Sequence, residues 1–320
     1  MGSVLSPSPH FQLQQIVDGV YAAIALESGA AISNAGIVDI GDRTLVYDTF
    51  LTPKAATDLR LAAETLTGRV IAYVINSHWH NDHIRGNQAF APETEILCTR
   101  ATRHLMETEG IAELQDDSEN ALSHMKALEA RLSTENDPSD KEETNRQLLY
   151  FRALAESTPK MKLRMPTWCF DGKLSFHGTT RSVDLIEIGP GHTQNDSILF
   201  LTNEKIAFVG DLVFVHSHPY LSASSLEEWL KALDKIEQLK AEIIIPGHGP
   251  VGGPMDIGRM RRYILDLQTR AARIAASKDP EKEIERARVP EAYADWKLGR
   301  FYPGNLRSMV QAQFRSDGRS

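Results

Sequence analysis

Apolar and polar positions alternate in short runs over the first hundred residues. Residues 36–40 and 44–48 are apolar runs on either side of Gly41-Asp42, the pattern of a β-hairpin. Ala55, Leu59, Ala62, Ala63 and Leu66 then recur at helical spacing, with Pro53 placed for a helix start. Residues 70–75 form an unbroken apolar run, as expected of a strand buried on both faces. Strand, helix and strand in that order predict a βαβ unit, and the loop after it is a favoured place for a ligand site. Residues 95–99 read as a further strand.

The pattern changes at about residue 102. Up to residue 158 the chain is rich in Glu, Asp, Lys, Arg and Ala. Leu122, Met125, Leu128 and Leu132 mark one amphipathic helix, and Leu148, Phe151 and Leu154 mark a second after the break at residues 136–140. This reads as a helical hairpin inserted between strands, a candidate lid or dimer surface. Strands return at residues 167–170, 174–177, 182–188, 197–202 and 205–209, with turns at Asp171-Gly172 and Asn203-Glu204 separating members of hairpin pairs. A helix over 226–239, a strand over 242–245 and a mostly helical stretch from Asp256 complete the chain.

Composition narrows the function classes. The 320 residues are 42% hydrophobic and 24% charged, with a net charge of -8, which argues against a nucleic-acid partner. The two cysteines, Cys98 and Cys169, form neither a disulfide framework nor a zinc ribbon and read as buried thiols. Neither a secretory signal nor an apolar run long enough to span a membrane is visible. Met1-Gly2-Ser3 fits a loose myristoylation pattern, but Pro7 and Pro9 favour a plain flexible terminus. The expectation is a cytoplasmic protein. Residues 1–15 would be flexible, residues 16–275 one catalytic domain that includes the insertion, and residues 276–320 a mostly helical tail.

The chemistry is concentrated after residue 75. His78, His80, Asp82 and His83 place three imidazoles and one carboxylate within six residues, directly after the apolar run. His78 and His80 lie two apart, so an extended segment projects both to one side, while Asp82 and His83 follow in a loop. Three more candidates stand beside glycine at strand ends: His192 in Gly191-His192-Thr193, Asp211 in Gly210-Asp211, and His248 in Gly247-His248-Gly249. Glycine there allows close backbone approach and positive φ. Imidazole and carboxylate donors suit Zn²⁺, Mn²⁺ or Fe.

In this order the motifs resemble the metallo-β-lactamase superfamily over about residues 16 to 255. The resemblance implies a four-layer αββα sandwich with the site at one edge. It implies two divalent metal ions, expected to be zinc. His78, His80 and His192 would hold the first, Asp82, His83 and His248 the second, and Asp211 would bridge them. Asp82 and Asp211 are then the catalytic carboxylates around a hydroxide shared by the ions, and Asp48 would orient a ligand histidine. Of the residues nearby, Trp79, Asn87, His216, His218 and Tyr220 are candidates for the pocket wall or its support.

Fold alone does not choose a substrate. Asp211 stands where the commonest zinc β-lactamases carry cysteine, so a dedicated lactamase is not expected, although weak lactamase activity fits. The sequence therefore points to a dinuclear hydrolase of a small ester, lactone or thioester. The alternatives are a phosphodiesterase or nuclease, an iron oxidoreductase, and a catalytically silent metal-stabilised binding protein.

Overall fold

The computed structural model describes residues 7–221 and 225–316. The myristoylation-like start, residues 1–6, lies outside them. Two β-sheets pack face to face, with helices on both outer surfaces.

The first sheet holds β1 (Phe11–Val17), β2 (Val20–Ala25), β3 (Ala35–Asp39), β4 (Thr44–Tyr47), β5 (Ile71–Ile75), β6 (Glu95–Thr99) and β7 (Trp168–Phe170), side by side in chain order. The strands from β1 to β4 are antiparallel, and those from β4 to β7 are parallel. Helix α1 (Pro53–Thr67) crosses from β4 to β5, as the βαβ reading expects. Thr52 caps its N-terminus and Gly68, in the left-handed region, ends it. Strand β1 begins inside the stretch expected to be flexible, because Phe11 is buried against Phe50 at 5.2 Å between ring centres.

The second sheet has the order β12 (Ile243–His248), β11 (Ile206–Phe214), β10 (Asp196–Leu201), β9 (Ser182–Gly189), β8 (Lys173–His177). The turn at Asp171-Gly172 does not close a hairpin. It carries the chain from one sheet to the other, since β7 pairs with β6 and β8 pairs with β9. Phe170 and Phe176 on either side of it both enter the core between the sheets, which a single hairpin in one sheet would not require. Cys98 and Cys169 are register partners on β6 and β7, both as free thiols.

Period-2 alternation explains the layering. Val38, Ile40, Leu45 and Tyr47 face the second sheet and meet Leu185, Leu199 and Phe208. Their neighbours Ile37 and Val46 face the other way, onto Ala55, Leu59 and Ala63 of α1. Apolar residues on both strand faces thus specify a sheet covered on both sides. On the far side, helix α6 (Leu226–Gln238) and helix α7 (Pro254–Ala275) bury Trp229, Leu233, Met260 and Ile264 against Ile198, Val209 and Val213. Each fully buried large side chain stabilises by about 1.5–3 kcal/mol.

Two segments depart from the sandwich. Between β5 and β6 the chain forms a short turn of helix, α2 (Asn81–Ile84), and then a 3-10 turn over Arg85–Ala89. Between β6 and β7 it forms α3 (Arg100–Leu105), a π-helical turn over Met106–Gly110, α4 (Ile111–Thr134) and α5 (Pro138–Ser157). These make the expected helical hairpin, with little of α4 buried beyond Ala121. Its root is fixed by Arg85, whose buried guanidinium lies 2.5 Å from Asp117 and 3.6 Å from Glu113. The tail comprises α8 (Pro280–Arg286) and α9 (Phe301–Ser316), and it is no appendage: Tyr302, Leu306 and Val310 join the core beneath α7. No helix of the described residues is long and apolar enough to cross a membrane.

Candidate metal centre

The candidate ligands come from segments at one edge of the two sheets. His78 and His80 follow β5, and His192 precedes β10. Asp211 lies within β11 and His248 ends β12. Asp82 and His83 stand on α2 rather than in a loop, because the His83 N–H donates to the His80 carbonyl at 3.0 Å. Ligand-capable atoms of His78, His80, His192 and Asp211 lie within 4.8 Å of one another, as do those of Asp82, His83 and His248. Asp211 joins the two sets: its carboxylate oxygens lie 3.2 Å from His83 Nε2, 3.3 Å from His192 Nε2 and 3.3 Å from His248 Nε2.

Glycine makes that convergence possible. Gly210 has φ of +53°, the turn that presents Asp211. A Cβ on Gly247 would fall 1.9 Å from Asp211 Oδ1, so only glycine lets the two strand ends approach.

One carboxylate sets the orientation of a histidine in each set. Asp48 is fully buried and accepts the Ser77 N–H, the Ser77 O–H and the His83 Nδ1–H, all at 2.8 Å. Ser77 has a single hydroxyl proton and gives it to Asp48, so its oxygen accepts from His78 Nδ1 at 2.9 Å. His78 and His83 are thereby held with Nε2 turned into the site and free to ligate. Burial pushes the Asp48 carboxyl up, against the opposing pull of His83. Its backbone stands at φ of +60°, strain that these contacts hold in place. Asp196 performs a comparable task for the His192 loop, accepting from the Thr193 N–H and hydroxyl at 2.9 Å each.

The donors fit divalent ions. His78 Nε2, His83 Nε2 and Asp211 Oδ1 are buried with no hydrogen-bond partner. His192 Nε2 and His80 Nδ1 face each other at 2.9 Å. Burial holds His80 down at about 4 and His192 at about 3, so both keep free lone pairs at neutral pH. At the second set burial acts in the same direction on His83 and His248, but Asp211 and Asp82 overrule it and raise both. That half of the site attracts positive charge, which a cation supplies equally well.

The clusters open into a cavity of about 910 Å³. Trp79, His216 and Tyr220 line it, as the sequence suggested. His218 does not. It is buried in an aromatic cluster, with Nδ1 3.0 Å from the Tyr263 hydroxyl and its ring against Trp296 and Tyr302. On an extended segment His216 and His218, two apart, would project to one side; the positive φ at His216 breaks that geometry and sends the two rings to different surroundings. Asn87 also lies outside the lining; it is tied to Asn76 and Thr49 beneath the loop.

Several lining residues were not singled out from the sequence. Arg146, Gln147, Tyr150 and Phe151 come from α5, Glu109 and Glu113 from the start of the insertion, and Lys297, Leu298, Arg300 and Phe301 from the tail. Phe214 stacks on His248 at 5.0 Å and 10°. Only the apolar stripe containing Phe151 offered a signal for any of these.

A family model described as the metallo-beta-lactamase superfamily matches residues 28–248, and the chain belongs to that superfamily. The beta-lactamase-like protein 2 homolog of Caenorhabditis elegans is 31% identical over 107 residues, 33% of this chain and 35% of that protein. The atrochrysone carboxyl ACP thioesterase of Aspergillus fumigatus is 37% identical over 62 residues, 19% of each chain. The matched stretches thus span about a third or less of these relatives. Among solved structures, a metallo-beta-lactamase from Pontibacter korlensis superposes with a TM-score of 0.57 at 17% identity, over 80% of this chain and 99% of the other. TMB-1 gives 0.56 at 14%, over 81% and 99%. At such identities the likeness is one of fold.

Proposed function

We propose that the protein is a dinuclear metal-dependent hydrolase of a small carboxylic ester, lactone or thioester. The observation that carries this reading is the sharing of Asp211 by two ligand sets at the floor of a large cavity. His78, His80 and His192 would hold one ion, Asp82, His83 and His248 the other, with Asp211 between them. Bound there, divalent ions lower the pKa of water to about 7 and polarise a carbonyl, so no serine or cysteine nucleophile is needed.

The chain's own residues do the rest. Asp48 and Ser77 fix the imidazoles so that no reorganisation accompanies reaction. Asp82 faces the cavity, where its carboxylate would accept a hydrogen bond from the attacking water and orient it. The partial match to a thioesterase supports an acyl substrate over a phosphodiester. So does the charge of the wall: its basic residues are Arg146, Lys297 and Arg300, and each is paired to glutamate within the protein.

The test is a panel of ester, lactone, thioester, lactam and phosphodiester substrates, run before and after chelation. Chelator-sensitive hydrolysis of carboxylic acyl substrates is expected. Turnover of phosphodiesters alone, or oxygen consumption by an iron-loaded protein, would overturn the reading.

A further inference from the structure

The cavity wall is made of parts that the sandwich does not supply. On one side stand Tyr150 and Phe151 of the inserted hairpin, and on the other Leu298 and Phe301 of the tail, with Trp79 and Tyr220 nearer the histidines. A cavity of about 910 Å³ is at the upper end of the range for drug-sized ligands, far beyond an acetyl group.

The charges on this wall are already used. Arg146 of α5 pairs with Glu27 at 3.3 Å and Glu143 at 3.2 Å, and also with Glu142. Lys297 pairs with Glu27, and Arg300 lies 3.2 Å from Glu143 and over the Phe301 ring. Three cations and three carboxylates thus stitch the loop after β2, the insertion and the tail together. No lysine or arginine of the described lining is left to receive an anion; Glu109 adds a carboxylate, and Glu113, raised by burial to about 7, faces Arg85 at 3.6 Å.

Resting on the hydrolase reading, we propose that the substrate's acyl group is bulky, ring-bearing and uncharged at its far end, gripped between the inserted hairpin and the tail. The test is calorimetric binding of three non-hydrolysable amides to the metal-loaded full chain: N-methyl-2-naphthamide, its 6-carboxylate, and N-methylacetamide. The uncharged naphthamide should bind about tenfold or more tightly than either other probe. Phe151→Ala and Phe301→Ala should each weaken it about tenfold without changing metal content. Equal affinity for the carboxylate, or no gain over the acetamide, overturns the proposal. Turnover of the matched naphthoyl thioester is scored separately, so absent hydrolysis with retained binding preference removes the hydrolase reading alone.

A different observation assigns a role to Tyr150. Its hydroxyl oxygen accepts the Asn81 amide N–H at 2.9 Å, and no acceptor among the described residues takes its own proton. Asn81 stands between the candidate ligands His80 and Asp82, so this free O–H belongs to the site. Burial keeps the phenol protonated. We infer that Tyr150 donates to the substrate's carbonyl oxygen as charge develops there. Tyr150→Phe should lower kcat on the naphthoyl thioester by about 10- to 100-fold at little changed KM. It should weaken binding of 2-naphthylphosphonate by about tenfold, with metal content intact. Unchanged phosphonate binding in the variant overturns the assignment, whatever the turnover.

Discussion

The floor and the roof of the cavity are built on opposite principles. The floor is buried side chains at strand ends, held by Asp48, Ser77 and Asp196 and by Gly210 and Gly247, where a Cβ would meet Ser77 and Asp211 respectively. At the roof, the insertion and tail are each anchored in the protein behind, but their cavity-facing segments are joined to one another by ion pairs at partly exposed side chains. Buried hydrogen bonds fix geometry, whereas exposed ion pairs are each worth about 0–1 kcal/mol. A fixed floor with an adjustable roof lets reaction chemistry and substrate choice vary independently.

The largest effect should come from the residue shared by both ligand sets. Asp211→Ala should lower turnover about a thousandfold or more, a loss of about 4 kcal/mol, and reduce bound metal while circular dichroism is retained. Full activity in that variant would break the floor as described. The joint between floor and roof comes next. Arg85→Ala leaves Asp117 without its partner and should destabilise by about 3 kcal/mol, read as the urea midpoint. Asp48→Asn removes the acceptor of both Ser77 and His83, and metal affinity measured by competition with a chelator should fall about 10- to 100-fold.

Much of the floor was legible because its chemistry is local. His78 to His83 are contiguous, and His192, Asp211 and His248 each carry a neighbouring glycine. The strands around them followed from alternation, and α1 from its helical spacing. The roof was not legible because its contacts join residues far apart in sequence. Arg300 reaches Glu143, and Lys297 reaches Glu27, across spans that leave no periodic trace. The same distance hid the fate of His218, which reads as a pocket-wall candidate beside His216 until Tyr263, Trp296 and Tyr302 surround it. It also hid the sheet change at Asp171-Gly172, where local turn chemistry is identical for a hairpin and a crossover.

His218 gives a pH test of that packing. Burial lowers its pKa from 6.5 to about 4, so the fold favours the neutral ring. The stabilisation is complete above pH 6.5 and is lost as pH falls from 6.5 towards 4, by up to about 3 kcal/mol. His218→Gln should flatten that part of the urea-midpoint profile; an unchanged slope would place the imidazole in water. The smallest effect is expected at the roof. Arg300→Ala should cost under about 1 kcal/mol in stability while changing KM across acyl groups of different size. A large stability loss with unchanged selectivity would make the roof a structural element only.

The most direct test of two ligand sets sharing one carboxylate is elemental analysis of the purified protein and of His248→Ala. Two divalent ions per chain are expected, falling to one in the variant with the His78, His80 and His192 set still loaded. A single ion in the unaltered protein, or metal content that His248→Ala leaves unchanged, would contradict the dinuclear centre.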